Sequence, residues 1–339
     1  MPTRPVGRTG LRLPLLGFGA APLGNLYRPI DDQRARETLR AALEAGLNYV
    51  DTAPYYGFGL SEIRVGEVVR DFPGTIVSTK IGRLLVPAAV ASDRLRHGFR
   101  SPMPFEPMFD YSADGVLRSH EASLERLGLD RVDMIYVHDI GRLTHGVLHE
   151  QRLRELDEGG GWRALRELKE AGAVSAIGIG VNEVEICLEL IERAPLDIIL
   201  LAGRYTLLEQ TALDTLLPRC VEKDISVVIG GPYNSGILAG GRNYNYGPAP
   251  EAVIDRARNL SRICARHNVA LGAAALQFVL AHPAVTSVVP GLASPEEVRE
   301  TLARAAAPIP ASLWAELKQE GLLHPDAPTP DREMPEIAA

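Results

Sequence analysis

Eight times along this chain a short apolar, β-branched run gives way to a stretch with helical spacing, and that alternation limits the fold more than any other feature. The runs fall at residues 15–18, 48–51, 75–79, 133–137, 173–180, 196–201, 226–229 and 286–289. Helical stretches follow them at 31–45, 61–70, 113–127, 162–171, 183–193, 212–222, 250–267 and 295–305. Runs that are apolar throughout, rather than alternating, belong to strands covered on both faces, as in parallel sheets. Eight such βα units in a 339-residue chain predict an α/β protein with one closed (β/α)8 TIM barrel over residues 1–324. Residues 4–14, with Gly7 and Gly10 flanking a turn, predict an N-terminal β-hairpin cap. Residues 270–281 read as an extra helix, and 325–339, rich in prolines and acids, as a weakly ordered tail. Two segments are too long for plain connectors, 81–112 after the third strand and 139–161 after the fourth. Both leave the barrel on the side where such folds keep their chemistry.

Charge narrows the partners. A net charge of −7 and no long Lys/Arg cluster argue against nucleic acid or an anionic membrane surface, leaving a small-molecule substrate. The first residues lack an apolar core with a small-residue cleavage site, and no apolar run reaches bilayer length, so a cytoplasmic protein is expected. Cys187, Cys220 and Cys264 are far apart and odd in number, which predicts buried free thiols rather than disulfides. Beyond Asp51 and His138, no carboxylate and histidine set fit to hold a metal stands at the strand ends.

If the barrel closes, residues near strand ends converge on one mouth. They are Asp51 and Tyr56 after the second strand, Lys80 after the third, and His138 with Asp139 after the fourth. A lysine at the end of an apolar strand is costly unless paired, and Asp51 is the available partner. The ammonium is expected in turn to lower the pKa of Tyr56 and make the phenol a proton relay. His138 would hold a carbonyl or hydroxyl oxygen. An acid, a phenol, an amine and an imidazole make a proton-transfer site with no nucleophile.

These residues resemble those of the aldo-keto reductases. Asp51-Thr-Ala-Pro-Tyr-Tyr-Gly57 matches that family's Asp-Thr-Ala-x-x-Tyr-Gly motif, Thr79-Lys80 its strand-end Thr-Lys, and His138 its strand-end histidine. Gly17-Phe-Gly19 and Val289-Pro-Gly291 extend the similarity over about residues 4–305. The resemblance implies that Tyr56 relays the proton, that Lys80 and Asp51 tune it, that His138 orients the substrate, and that a nicotinamide cofactor lies across the barrel mouth. The glycines from Gly17 to Gly24 do not make a Rossmann fingerprint, because the third comes too late and Pro22 spoils a helix start.

Carried over one residue at a time, the resemblance implies cofactor contacts at Gly19, Asn182, Gly231, Tyr233, Ser235, Gly291, Glu297 and Thr301. Ala202 stands where a carboxamide-binding Gln is usual, and Gly230 where an aromatic ring usually stacks on the nicotinamide. Tyr233 is the ring expected to reach in instead. Glu297 stands where users of NADP carry an arginine; a carboxylate repels a 2′-phosphate and accepts a hydrogen bond from a free ribose hydroxyl. NAD is therefore the expected cofactor, with Arg299 the residue that would let NADP bind as well. Within the family the chain is most similar to the aldose 1-dehydrogenase subgroup, which includes D-threo-aldose (L-fucose), L-galactose and pyridoxal dehydrogenases. That implies oxidation of an alcohol or cyclic hemiacetal, commonly to a lactone. Tyr55, Phe58, Arg83 and Trp162, all on strand-end loops, are the expected substrate contacts. Two other readings stay open: an NADPH-dependent aldehyde or ketone reductase, and a nicotinamide-sensing subunit without turnover.

Overall fold

The computed structural model describes residues 1–89 and 95–330. Its central sheet has eight parallel strands: β1 (Phe18–Gly19), β2 (Tyr49–Asp51), β3 (Ile76–Ile81), β4 (Met134–His138), β5 (Ala176–Val181), β6 (Ile198–Ala202), β7 (Ser226–Gly230) and β8 (Val285–Val289). They pair in sequence order, and bridges from Leu16 to Val288 and from Gly19 to Gly291 join the first to the last. The sheet is thus a closed (β/α)8 barrel, which leaves no open edge between β1 and β8.

Alternate residues of each strand face the barrel axis. Tyr49, Met134, Tyr136, Ala176, Ile198, Leu200, Val228 and Val289 fill that interior together with Val6 and Leu13. The last two come from the N-terminal hairpin, in which Thr3–Pro5 pairs with Arg12–Pro14, so this hairpin plugs the bottom of the barrel. Between strands and outer helices lies the larger apolar layer, into which helix Leu271–Leu280 is buried along its whole length. No single helix among the described residues is long and apolar enough to cross a membrane.

Register places the reactive groups. Asp51 lies beside Ser78, and Lys80 beside Tyr136, in neighbouring strands. Asp51, Lys80 and His138 are the upper members of inward-facing rows whose lower members are Tyr49, Ser78 and Tyr136. The period of two that fills the core also stacks a polar layer on top of it.

Several sequence-based expectations need correction. Strand β3 runs to Ile81 and β4 ends on His138, so Lys80 and His138 lie within their strands rather than beyond them. Segment 81–112, of which 90–94 lie outside the described residues, is not one irregular loop: Arg83–Pro87 pairs antiparallel with Phe105–Phe109, and Leu95–Arg96 with Phe99–Arg100. Phe99, Phe105 and Phe109 fall in these strands, where aromatic residues are favoured. Segment 139–161 holds short helices at Arg142–His145 and His149–Asp157. The helix expected from 212 begins only at Leu216, which sets Pro218 in the first turn, where a missing N–H does no harm. A helix at Ala311–Gln319 carried no distinct signal beforehand. In the expected tail, Ala327 is buried against the core, and residues 331–339 lie outside the described residues. The three cysteines are free and buried.

Candidate active site

Asp51, Lys80 and His138 are fixed by strands, whereas Tyr56 sits in the turn that follows β2. That turn is pinned from both sides. The Thr52 and Ser61 hydroxyls lie 2.8 Å apart, and Ser61 Oγ donates to the Ala20 carbonyl. Gly57 has a φ of +66°, and a Cβ there would meet the Gly24 carbonyl oxygen at 2.5 Å, so only glycine lets the phenol's turn press so closely on the β1 loop.

Lys80 Nζ lies 2.7 Å from Asp51 Oδ2 and also donates to the Thr52 carbonyl at 2.9 Å. Ser78 Oγ donates to the other carboxylate oxygen at 2.8 Å. Below, Tyr49 Oη is 3.1 Å from both Ser78 Oγ and Tyr136 Oη, so a chain of hydroxyls descends from the carboxylate into the barrel. The ammonium lies 4.6 Å from the centre of the Tyr56 ring, and that ring stands edge-on to His138 with centroids 5.9 Å apart. Tyr111 Oη donates to the His138 carbonyl at 2.7 Å, which ties down the end of β4.

Burial dominates the electrostatics. It raises the Asp51 carboxyl and lowers the Lys80 amine, and each offsets the other's desolvation through their ion pair. Tyr56 does not behave as the sequence suggested. Its phenol is pushed well above its ordinary range, by burial first and then by the Asp51 and Asp139 carboxylates, with Arg83 pulling it down. The lowering expected from Lys80, whose ammonium is paired with Asp51, does not outweigh these effects. His138 is held well below its usual value by burial, then Arg83, then Lys80, so at neutral pH it is an uncharged imidazole.

Two cavities, of about 630 and 530 Å3, meet at Tyr27, Tyr56, Asn182, Ala202 and Tyr246. The larger runs along the loops after β7 and β8. Gly19, Asn182, Gly231 and Tyr233 line it, as do Ser235, Gly291, Glu297 and Thr301. The smaller is lined by Tyr55, Lys80, Arg83, His138, Phe99 and Phe109. One elongated cleft joined to one aromatic chamber, with the phenol at the junction, suits a dinucleotide and a small substrate meeting at Tyr56.

A model of the Aldo/keto reductase family matches residues 15–320. The chain belongs to the aldo/keto reductases. It is 42% identical to a pyridoxal 4-dehydrogenase from Microbacterium luteolum, over 94% of this chain and 97% of that one. It is 40% identical to a D-threo-aldose 1-dehydrogenase of a Pseudomonas species, over 95% and 97%. Among solved structures, the holo form of an aldo-keto reductase from Bacillus halodurans matches with a TM-score of 0.72 at 26% identity, covering 94% of this chain and 96% of that one. Membership makes the chain an oxidoreductase that uses a nicotinamide cofactor, and its relatives are dehydrogenases acting on CH–OH donors.

For an aldo/keto reductase, the rims of the cleft carry residues that the sequence did not single out. Arg28, on the loop after β1, pairs with Glu297 across the mouth. Glu297 Oε2 also accepts from the Ala293 N–H at 2.7 Å, and its own N–H donates to Ser294 Oγ at the start of helix Pro295–Ala306. Arg299, the expected route to NADP, turns instead to Glu296 at 3.0 Å and does not line the cleft. Tyr246, at the tip of the Asn243–Tyr244 and Gly247–Pro248 hairpin, lines both cavities; its Oη lies 3.3 Å from Asn182 Oδ1 and its N–H donates to Ser235 Oγ. Tyr233 packs over Arg304, 5.3 Å from its guanidinium carbon.

Two of the expected substrate contacts lie elsewhere. Trp162 belongs to helix Gly161–Glu170, where its ring packs in the outer core and Nε1 donates to Asp157 at 3.1 Å. Phe58 is fully buried beneath Tyr55 and Phe99, with the Arg96 guanidinium 4.6 Å from its ring centre. Chain order had placed both near strand ends, but helix packing turned one ring inward and the turn after β2 tucked the other under its neighbour.

Proposed function

We propose that this protein is an NAD-dependent dehydrogenase that oxidises a cyclic hemiacetal, of the kind an aldose or pyridoxal forms, to the lactone. The observation that carries the reading is the placement of Asp51, Tyr56, Lys80 and His138 at one junction between the two cavities. The names of the two relatives quoted above support the substrate class.

Bound NAD supplies the hydride acceptor. The residues of this chain do the rest. His138, uncharged and closing the smaller cavity, donates to the oxygen of the substrate and fixes the reacting carbon. As hydride leaves that carbon, Tyr56 Oη, in the ionised form reached at alkaline pH, takes the hydroxyl proton. The hemiacetal loses a hydride and a proton, so each lactone formed yields one NADH and one proton. The Asp51–Lys80 pair holds fixed charge beneath the ring, preorganised and desolvated. The cleft fits a dinucleotide in its donor set: a glycine-rich wall, Asn182 at the junction, and Arg304 on its lining.

NAD rather than NADP follows from Glu297. Its carboxylate stands at the cleft rim with Arg28 already engaged, so a 2′-phosphate would meet a negative charge and a cation that is taken. The test is formation of NADH or NADPH from L-fucose, L-galactose, D-arabinose and pyridoxal, compared as kcat/KM. The proposal expects turnover of at least one of these and a higher kcat/KM with NAD. A clear preference for NADP would remove the argument from Glu297, and tight NAD binding without turnover would favour a sensing role.

A further inference from the structure

Arg83 and Asp139 line the smaller cavity, and beyond the pull of their charges on Tyr56 and His138 nothing so far gives them a role. Arg83 opens the hairpin strand that follows β3, and its side chain is only 6% exposed. Its Nη2 donates to Asp139 Oδ2 at 2.7 Å. The guanidinium carbon lies 3.8 Å from the centre of the Tyr55 ring and 5.2 Å from that of Phe109. Nε and Nη1, both buried, have no hydrogen-bond partner. Unsatisfied buried donors of a charged group are costly, and a place where they persist beside a cavity is a place where a ligand satisfies them.

Asp139 is aimed by its backbone. Its φ of +48° is left-handed, and its N–H donates to the Gly180 carbonyl at 2.9 Å. A non-glycine residue in that region carries strain of the kind that collects at functional sites. The turn brings the carboxylate back over the barrel mouth, where Oδ2 lies 3.5 Å from His138 Nε2. From His138 outward the cavity wall therefore presents an acceptor, then donors, between two aromatic rings.

A hydroxyl on the carbon next to the reacting one can donate a hydrogen bond to Asp139, and the following oxygen can accept from Arg83. The C–H face of a sugar ring suits Tyr55 and Phe109. An ionised hydroxyl oxygen borne on the ring in the same position, as in a hydroxypyridine, would set its charge against the Asp139 carboxylate.

We propose that Arg83 and Asp139 form a specificity pair that reads adjacent hydroxyls, so that the site takes an uncharged cyclic sugar with a vicinal diol in preference to an ionised hydroxypyridine. This rests on reading the site as a hemiacetal dehydrogenase. The probes are D-arabinose, 2-deoxy-D-ribose, which differs from it only in lacking the hydroxyl next to the anomeric carbon, and pyridoxal, each with saturating NAD. The wild type is expected to prefer D-arabinose over both others by about tenfold or more in kcat/KM. Asp139→Asn and Arg83→Gln should each lower kcat/KM for D-arabinose about tenfold or more, mainly through KM, while 2-deoxy-D-ribose responds little to Asp139→Asn. NADH binding, followed by its fluorescence, should stay unchanged in both variants and shows that they are folded. Equal losses on D-arabinose and 2-deoxy-D-ribose, or a wild-type preference for pyridoxal, would overturn the pair's role while leaving the dehydrogenase reading intact. No NADH from D-arabinose would overturn the inference, and no NADH from L-fucose, L-galactose or pyridoxal either would remove the dehydrogenase reading as well.

Discussion

Two ion pairs flank the junction of the cavities, and they are opposites. Asp51 and Lys80 are 4% and 1% exposed, in adjacent strands, with the remaining carboxylate oxygen held by Ser78. Arg28 and Glu297 are 60% and 36% exposed and join two loops across the mouth of the cleft. A buried pair is expensive to form and ruinous to break, because removing one partner leaves a desolvated charge. An exposed pair contributes almost nothing to stability. On the proposed reading, the chemistry is built where the barrel cannot yield, and cofactor choice where a side chain can change at little cost.

The largest effect expected lies beside the buried pair. Tyr56→Phe should lower kcat by about a hundredfold to ten-thousandfold while NADH still binds, read by comparing steady-state rates with a fluorescence titration. Retained turnover would take the proton relay away from Tyr56. Next, Lys80→Met should destabilise the fold by about 3–5 kcal/mol in urea denaturation, and the double variant Asp51→Asn with Lys80→Met should recover part of that. If the double variant is no more stable than the single, the two charges are not compensating each other.

The exposed pair predicts the reverse pattern. Glu297→Gln should cost less than about 1 kcal/mol of stability, yet free Arg28 for a 2′-phosphate and move the NADP to NAD ratio of kcat/KM toward NADP by about tenfold. Adding Arg28→Ala should reverse that gain. The smallest effect concerns pH. The Tyr56 phenol is raised by burial and by Asp51 and Asp139, so at neutral pH it carries its proton. Oxidation needs a phenol that can accept, and kcat for oxidation should climb as pH rises through the alkaline range, with reduction falling. His138, lowered by burial, Arg83 and Lys80, stays neutral below its usual pKa and adds no acid limb near pH 6.5. An oxidation rate that peaks near neutrality would put the proton on another group.

The same contrast explains what could be read from the chain. Asp51, Lys80 and His138 announce themselves because strands with a period of two must end somewhere, and a charged residue closing an apolar run has few reasons to be there. The barrel follows from the count of such runs. Arg28 and Tyr246 gave no signal, since each is a single residue on an irregular loop or hairpin tip whose meaning depends on what lies opposite. Asp139 was visible only as a neighbour of His138, because its left-handed backbone, which turns it inward, has no signature in an aspartate. Trp162 misled for a related reason: it stands where the segment after the fourth strand meets its helix, and spacing does not show that the ring turns into the outer core. The direction of the Tyr56 shift also escaped, because spacing shows which charges are near but not which of them are already paired.

The claim at the centre is direct hydride transfer from the carbon of a cyclic hemiacetal to NAD, and L-fucose deuterated at its anomeric carbon tests it. Mass spectrometry of the reduced cofactor should find the deuterium there, one label for each lactone formed. Unlabelled NADH, or label appearing in water, would contradict the account.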